Sequence, residues 1–273
     1  KAVGDFWDGS GKPTDLTGES GLVGYWRMGE EAVFNSTNWL LPNKAQDVFS
    51  RYSLDFDGIN DFVGTGNLSV DGESEASLSF WFRPDDSGWR YLWGDNSNRL
   101  LLYQTGGRVD ITFDGGVDYR TNTGFVTTLG TWNHCILTFD GSLAQADRLK
   151  LYLNGTSIAN DLAGTTSTIV GISSTFNIGR AGQYSANVWL GGIDEPSIWN
   201  KALSQLEINE LYNIGEPTDL TSHSASTNIV NWWRMGEDAT FSTNWTIPDK
   251  IGSNTGTSAN MTNDDLTGDA PGV

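Results

Sequence analysis

Cysteine and histidine are scarce in this 273-residue chain, which contains only Cys135, His134 and His223. A single cysteine excludes an internal disulfide, and these three residues cannot supply a zinc site built from cysteine and histidine. If the protein works outside the cell, its stability must therefore come from its core. We interpret Cys135 as a small buried hydrophobic residue beside Leu137 and Phe139.

Positive charge is also scarce, since 16 Lys and Arg residues face 34 Asp and Glu residues, for a net charge of −18. Phosphate binding needs clustered Lys and Arg, so this balance argues against a nucleic-acid partner and disfavours an anionic membrane surface. No apolar run reaches the ~18 residues of a membrane span, so we expect no membrane insertion. No signal peptide is visible and residue 1 is Lys, so we expect a start that is processed or set by cloning.

The chain is rich in glycine, with 33 residues, and in tryptophan, with 12. Short β-forming segments alternate with Asn/Asp/Gly/Ser clusters every ~8–12 residues, a spacing typical of a β-sandwich. The segments predicted as strands are 21–28, 53–56, 62–63, 76–83, 89–94, 100–104, 109–113, 132–139, 149–153, 176–178 and 188–199. One helix is predicted, because Ser204 and Glu207 form a capping box before the apolar stripe of Ile208, Leu211 and Tyr212, with Gly215 as a stop.

A duplication organises the chain. Residues 13–44, the first copy, and residues 217–250, the second copy, share P-T-D-L-T, W-R-M-G-E, S-T-N-W and a final P-N-K or P-D-K in the same order. Trp26 matches Trp233 at an offset of 207, the size of a whole domain rather than of a solenoid repeat. We therefore predict a lead-in at 1–20, one module at 21–213, a linker at 214–227 and a partial second module at 228–273.

Several ordered segments resemble the laminin-G-like branch of the concanavalin-A-like lectin/glucanase superfamily. They are G-L-V-G-Y-W-R-M-G-E, L-D-F-D-G-I-N-D-F-V, L-S-F-W-F-R-P, T-W-N-H-C-I-L-T-F-D-G-S, L-K-L-Y-L-N-G, F-N-I-G-R and G-G-I-D-E-P-S-I-W-N-K-A-L-S. The resemblance implies an all-β, two-sheet antiparallel jelly-roll sandwich, here with one short C-terminal helix and extended flanking segments. It also implies frequent calcium binding and a carbohydrate- or surface-binding role. W-W-R-M-G-E and S-T-N-W further resemble modules in structural proteins of marine bacteriophages.

Catalytic patterns are missing from the sequence. Hydrolases of the family carry E-x-D-x-E, whose alternate carboxylates converge on one sugar, and this chain has no such motif. Asp194 and Glu195 are adjacent, so on a regular strand they would point to opposite faces. A Ser-His-Asp triad would need His134 or His223, for which we expect structural or solvated roles. We predict a protein that is not an enzyme, with a glycoside hydrolase as an alternative.

The turn D-G-I-N-D offers oxygen ligands from Asp57, Asn60 and Asp61, and hard oxygen ligands suit Ca²⁺. The resemblance implies that Asp194 lies close to this turn. We predict a calcium site from these four residues. The alternative is a plain turn, because Asp and Asn side chains form Asx turns and Gly58 supplies positive φ. A second, weaker calcium candidate is the loop that contains Asp95, Asn96 and Asn98.

A sugar site needs exposed aromatic rings, because aromatic faces cover apolar sugar faces. Five aromatic residues lie near predicted loops or strand ends and are candidate ligand contacts: Trp89, Tyr91, Tyr103, Tyr119 and Tyr184. We expect Trp26, Trp81, Trp132 and Trp199 to be core residues instead. The predicted function is a non-catalytic surface or structural module of a phage virion appendage or decoration, for assembly and for host-surface or glycan binding. A secreted or cell-surface adhesin of a marine bacterium is the alternative, and either predicts a virion-surface or extracellular location.

The second copy carries an apolar strand that we expect to have no module of its own, because the given sequence ends at Val273. Its side chains are Ile229, Val230, Trp232, Trp233 and Met235. Burying such side chains stabilises a protein by about 1.5–3 kcal/mol each. Two places could bury this strand, the surface of its own jelly roll or a neighbouring subunit. We predict the neighbouring subunit, because the first copy would occupy the equivalent position within the chain's own module. Expected partners are thus copies of the chain or other surface proteins.

Overall fold

The computed structural model describes most of residues 49–272, together with two short strands at 33–34 and 39–40. Outside the described residues are 1–32, 35–38, 41–48, 69, 97–99, 114–116, 122–126, 159, 162–165, 170–174, 183–185 and 273. The predicted lead-in at 1–20 and the predicted strand at 21–28 therefore fall outside them.

Twenty strands and one α-helix are present in the described part of the chain. The strands are β1 (Val33–Phe34), β2 (Trp39–Leu40), β3 (Ser53–Asp57), β4 (Phe62–Thr65), β5 (Glu75–Pro84), β6 (Arg90–Asp95), β7 (Leu100–Thr105), β8 (Arg108–Phe113), β9 (Val117–Thr121), β10 (Asn133–Asp140), β11 (Leu149–Leu153), β12 (Thr156–Ile158), β13 (Asn160–Asp161), β14 (Phe176–Ile178), β15 (Leu190–Trp199), β16 (Ile229–Trp232), β17 (Thr240–Phe241), β18 (Trp245–Ile247), β19 (Gly256–Ala259) and β20 (Leu266–Thr267). The helix, α1, spans Gln205–Tyr212.

Two antiparallel sheets form a sandwich, which confirms the predicted all-β jelly-roll class with one short helix. The eight-stranded sheet has the order β12-β11-β10-β5-β15-β3-β20, with β16 also paired to β15. The ten-stranded sheet has the order β13-β9-β8-β7-β6-β14-β4-β19-β18-β17, and β1 and β2 form a separate hairpin. Among the described residues, no helix is long and apolar enough to cross a membrane.

The main core lies between the sheets and is built from alternate residues of each strand. On β5, Leu78, Phe80 and Phe82 point into this core, as the period of two residues along a strand requires. Cys135 is fully buried in the same core, as interpreted from the sequence. Trp81 is buried as well, but it points to the other face of the sheet, where it stacks on Tyr212 at the end of α1.

The outer face of the eight-stranded sheet is covered by α1 and by the segment predicted as a linker, 214–227. Trp199 of the sheet packs with Ile208 of α1 and with Leu220 of that segment. The predicted capping box of Ser204 and Glu207 is confirmed. The segment 214–227 is thus part of the fold rather than a free connection.

The second copy is built into this same sandwich. Strand β16 pairs with β15, β19 joins β18 to β4, and β20 pairs with β3. Four of the five predicted assembly residues (Ile229, Trp232, Trp233 and Met235) are buried within the chain, and Val230 packs against its core. The prediction that this strand packs on a neighbouring subunit is therefore wrong, because the position beside β15 is filled by the second copy.

Candidate functional site

An aromatic cluster of Trp89, Tyr91 and Tyr103 lies on the outer face of the ten-stranded sheet. The neighbouring Leu92 and Leu102 point into the main core, so the two tyrosines point outward. The ring centroids of Tyr91 and Tyr103 are 5.9 Å apart, and that of Trp89 is 6.1 Å and 5.8 Å from them. Both tyrosines are buried, whereas Trp89 is 53% exposed. Within the described part of the chain, Trp89 is the one aromatic residue among the exposed large hydrophobic side chains.

The loop that carries Trp89 is held by side chains on both sides of it. Arg90 binds the Asp86 carboxylate through Nη2 at 2.7 Å and Nε at 3.0 Å. This hydrogen bonding from Arg90 lowers the pKa of Asp86 below its usual value. Gln104 donates to the Asp86 carbonyl at 2.7 Å. The loop is thus tied to β6 and β7, and Trp89 is presented on a fixed base.

Arg90 also links this cluster to the turn that was predicted to bind calcium. Its Nη1 donates to the Gly58 carbonyl at 3.0 Å and to the Val188 carbonyl at 3.2 Å. The turn and the loop that carries Trp89 therefore lie side by side, joined through one guanidinium group.

The turn itself is an Asx turn, the arrangement that the sequence offered as an alternative to calcium. The Oδ1 atom of Asp57 accepts the N–H groups of Ile59 at 2.8 Å and Asn60 at 3.2 Å. Asp61 Oδ2 accepts the Asp57 N–H at 3.0 Å, and Asp61 is buried. Burial, together with the charges of Asp57 and Asp265, raises the pKa of Asp61 to about 7.

These residues fit a hard cation by their chemistry. Two carboxylates and an amide lie within five residues, and a third carboxylate, Asp265, acts on them electrostatically. A cation would favour the charged form of the buried Asp61, which burial and its acidic neighbours disfavour. Asp194 does not belong to this set: Leu190 is paired with Asp57, and Asp194 lies four residues further along β15, about 13 Å away. The predicted four-residue set is therefore wrong in its fourth member.

Asp194 belongs instead to a buried acidic cluster with Glu195 and Glu237, whose carboxylate oxygens lie within 4.8 Å of one another. Ser50 Oγ donates to Asp194 Oδ2 at 2.8 Å and to Glu237 Oε1 at 3.1 Å. Arg234 Nε donates to Glu195 Oε1 at 3.0 Å. Burial raises the pKa of Asp194 well above its usual value, and burial raises that of Glu195 to about 7 against the opposing effect of Arg234.

This cluster exists because β15 contains a bulge between Asp194 and Ser197. Glu195 adopts a φ of 51° there, and the bulge breaks the alternation of side chains along the strand. The prediction that Asp194 and Glu195 point to opposite faces is therefore wrong. The pair still does not make a hydrolase site, because Asp194 is fully buried and Glu195 is 5% exposed. The cluster joins β15 to the chain before β3 and to the second copy.

Both histidines are buried in structural positions. His134 Nε2 lies 2.7 Å from Ser79 Oγ, and the imidazole stacks on Trp81. Burial lowers the pKa of His134 to about 3, so the ring is neutral, and its Nδ1 has no hydrogen-bond partner among the residues that the structure describes. The Ser79–His134 pair therefore lacks the acid of a triad. His223 Nε2 lies 3.0 Å from the Glu207 carbonyl, which ties it to α1.

Comparison with known proteins now identifies the family. Residues 57–209, more than half of the chain, match a family model of the laminin G type, described as the concanavalin A-like lectin/glucanases superfamily. The chain belongs to this superfamily. No curated protein matches the sequence.

Solved structures are also similar to this chain. A proposed carbohydrate-binding protein from Bacteroides ovatus ATCC 8483 matches with a TM-score of 0.63 at 18% identity, over 81% of this chain and 61% of that chain. Domain 4 of a GH43 extracellular arabinanase from Geobacillus stearothermophilus, in complex with arabinotriose, matches with a TM-score of 0.47 at 17% identity, over 59% and 76%. Domains LG4-5 of the mouse laminin α1 chain match with a TM-score of 0.44 at 12% identity, over 58% and 44%. This chain thus spans less than two thirds of the length of the Bacteroides protein.

The other predicted site residues are Tyr119, Tyr184 and the second calcium candidate of Asp95, Asn96 and Asn98. None of the contacts described for them joins them to the aromatic cluster. Tyr119 lies on β9, paired with Ile111 of β8, while its side chain and all of Tyr184 and Asn98 lie outside the described residues. Asp95 is buried, and Asn96 Oδ1 accepts from Asn177 at 2.9 Å.

Sequence reasoning missed the residues that hold the site together. Asp86 and Arg90 carry opposite charges three positions before and one position after Trp89, a signal that was available in the sequence. Gln104 could be found only from the register that pairs it with Arg90. Nothing in the sequence indicated that Asp265 lies near the turn of Asp57, Asn60 and Asp61, because about two hundred residues separate them.

Proposed function

We propose that this chain is a non-catalytic surface module that binds glycans. The observation that carries the proposal is the exposed ring of Trp89, backed by Tyr91 and Tyr103 and held on a fixed loop. The carbohydrate-binding assignment of the Bacteroides protein supports the same class of ligand.

The physical argument rests on the shape and rigidity of this surface. A pyranose ring presents an apolar face of C–H groups, which an exposed indole ring covers with loss of little side-chain freedom. Trp89 is already ordered by its contacts with the two tyrosines, so binding would not have to freeze it. Arg90 and Asp86 satisfy each other and supply a polar rim beside the indole.

The proposal is tested with the purified chain on a glycan array, followed by calorimetry with the glycans that bind. Trp89→Ala should weaken binding about 10- to 100-fold, since an apolar aromatic contact is worth roughly 1.5–3 kcal/mol. Leu206→Ala is the matched control, because Leu206 is 81% exposed on α1, over the opposite sheet. Unchanged binding by Trp89→Ala, or absence of any glycan ligand for the wild type, would contradict the proposal.

We also propose that Ca²⁺ binds at the turn of Asp57, Asn60 and Asp61, with Asp265 adding negative charge. The contact between Arg90 and the Gly58 carbonyl supports a second consequence, because an ion that fixes the turn would also steady the loop that carries Trp89. Calcium would then strengthen glycan binding indirectly.

The proposed setting is the surface of a phage virion, where the module would serve assembly and host-surface contact. A secreted or cell-surface adhesin of a marine bacterium is the alternative setting for the same binding activity. Both place the acidic chain outside the cell. Mass spectrometry of purified virions distinguishes them, since the peptides of this chain should be enriched with the particles and not with host envelopes.

A further inference from the structure

We propose that the edge of β15 at Ser197–Trp199 is a docking position for either copy of the repeat, and that residues 21–44 occupy it when the second copy is displaced. The inference is independent of glycan binding. It follows from two observations. The edge of β15 requires particular apolar and charged side chains from the strand that pairs with it, and both copies of the repeat carry these side chains.

A segment that pairs with this edge of β15 must fill two hydrophobic clusters, one on each side of the eight-stranded sheet. In the second copy, side chains on two faces of the strand fill them. Ile229 and Trp232 enter the cluster under α1, while Trp233 and Met235 enter the main core. The backbone then passes so close to Tyr52 that a Cβ atom at Gly236 would overlap it, so this site accepts only glycine.

The same segment must also supply polar side chains to the buried acidic cluster of Asp194, Glu195 and Glu237. Glu195 needs a cation, and Arg234 provides it at 3.0 Å while also donating to the Phe49 carbonyl at 2.8 Å. The N–H groups of Arg51 and Tyr52 both bind one oxygen of Glu237. An occupant must therefore carry Arg and Glu three residues apart, in a fixed register with the apolar side chains.

The first copy carries this whole set in the same register. Leu22, Trp26, Arg27, Met28, Gly29 and Glu30 stand where the second copy has Ile229, Trp233, Arg234, Met235, Gly236 and Glu237. The one aromatic change is Tyr25 in place of Trp232, which keeps a large ring with a polar group. No other stretch of the sequence meets all these demands.

The described part of the first copy already has the pairing of the second. Strands β1 and β2 pair Phe34 with Trp39, and β17 and β18 pair Phe241 with Trp245 at the equivalent positions. The β17–β18 hairpin is part of the ten-stranded sheet, whereas β1 and β2 belong to neither large sheet. The described strands of the first copy thus pair as their equivalents in the second copy do, but outside the two large sheets.

The first copy can also reach the position within its own chain. Lys250 donates its N–H to the Trp232 carbonyl, and the Phe49 ring lies 6.1 Å from the Trp232 ring, so the chain at Phe49 runs close to the place of Lys250. Lys44 is the equivalent of Lys250 and is five residues from Phe49. Five residues span up to about 17 Å, enough for this connection.

The second copy makes more stabilising contacts beside β15 than the first copy could, which explains why it is the one paired with β15. Asp249 accepts the N–H groups of Trp232 and Gly252, and β19 and β20 follow and pair with β4 and β3. The first copy has Asn43 in place of Asp249 and reaches Phe49 without room for two further strands.

The test uses the full chain and follows its thermal unfolding. Trp26→Ala alone should leave the melting temperature unchanged, because Trp233 holds the core position. Trp233→Glu cannot be buried there, so the first copy should take over and the chain should stay folded with a lower melting temperature. Trp26→Ala in the Trp233→Glu chain should then lower it further, by ~5 °C or more. An unfolded Trp233→Glu chain, or a double variant that melts like Trp233→Glu, would overturn the proposal.

Disulfide trapping distinguishes the occupant directly. Ser197 is paired with Trp232, and opposite residues of antiparallel strands lie close enough for a disulfide. In a Cys135→Ser, Trp233→Glu chain, Tyr25→Cys and Ser197→Cys should form a disulfide within one chain. Tyr25→Cys with Ser142→Cys, an exposed turn residue, is the matched control and should not cross-link. Absence of the first cross-link, or a cross-link between two chains, would overturn docking within the chain.

Discussion

Asp61 carries a buried carboxyl group whose pKa is raised to about 7 from an ordinary value of 3.8. Its unfolded form loses the proton near pH 4, whereas the folded form keeps it until pH ~7. Between these values the folded state binds more protons, so stability falls as the pH rises through this window. A shift of this size corresponds to at most about 4 kcal/mol.

Asp61→Asn should remove part of this pH dependence. An amide oxygen can still accept the Asp57 N–H, but the side chain no longer ionises. Thermal unfolding in EGTA should show the melting temperature of the wild type falling from pH 5 to pH 8 by several degrees more than that of Asp61→Asn. Asp147→Asn, an exposed change, is the control and should behave as wild type. Equal slopes for Asp61→Asn and wild type would contradict the raised pKa.

If calcium binds at this turn as proposed, it should act on Asp61 with the opposite sign. An ion that binds only the folded state stabilises it by mass action, and it prefers ionised Asp61. Millimolar Ca²⁺ at pH 8 should raise the melting temperature of the wild type and not that of Asp61→Asn. An equal response of both proteins would mean that calcium does not bind at this turn.

The sequence predicted those parts of the candidate site whose residues lie close together in the chain. Trp89, Tyr91 and Tyr103 were selected because they sit at strand ends, and β6 and β7 place them together. Asp57, Asn60 and Asp61 were selected as one turn and remain one turn. Asp194 was wrongly added because the distance along β15 depends on register, which no residue pattern within that strand reveals.

At the scale of elements, β15 is the strand on which the rest of the eight-stranded sheet depends. Strand β3 pairs with its first part, Leu190–Ile193, and β16 with its last part, at Ser197–Trp199. The bulge at Glu195 lies between these two partners and aims two carboxylates into the gap. The gap is closed by Arg234, which follows β16.

Arg234→Ala should therefore destabilise the chain strongly. Its removal leaves the buried Glu195 and the partly buried Glu237 without their cation, and breaking a buried ion pair costs about 3–5 kcal/mol. Urea unfolding at pH 7 measures the loss. Lys150→Ala, a cation on the outer part of β11, should cost less than about 1 kcal/mol. A loss for Arg234→Ala no larger than that of Lys150→Ala would mean that the ion pair does not hold the second copy.

Strand positions were predicted well where side chains alternate clearly. The predicted 149–153 and 176–178 coincide with β11 and β14. Strand β7 differs from its prediction by one residue at one end, and β5 and β10 differ by one residue at each end. Strands β9, β12 and β13 were not predicted, because they are short and polar and depend on pairing rather than on burial. Pro84 was expected to end β5 and is its last residue, where a missing N–H is tolerated.

At the scale of the whole molecule, the repeat was recognised but its structural meaning was not. A duplication indicates that two segments suit one kind of position, and it does not indicate which segment occupies it. The sequence suggested that the first copy fills the place beside β15, since it precedes β3 in the chain. The structure puts the second copy there, because the strands that follow it also join the two sheets.

The described sandwich runs from Phe49 to Gly272, and we predict that residues 1–44 are dispensable for its stability. Both large sheets, as far as the structure describes them, are built from β3–β20, and the described strands of the first copy, β1 and β2, belong to neither. Deletion of residues 1–44 should change the melting temperature by less than about 3 °C, the equivalent of roughly 1 kcal/mol in a chain of this size. Glycan binding should also be retained, because Trp89 packs on Tyr91 of β6 and Tyr103 of β7, which remain in the shortened chain. Deletion should also remove residues 21–44, which are proposed to pair with β15 when the second copy is displaced. Trp233→Glu should therefore unfold the shortened chain, whereas the full chain should tolerate it. A shortened chain that melts well below the full chain would show that the first copy stabilises the fold even while the second copy holds its position.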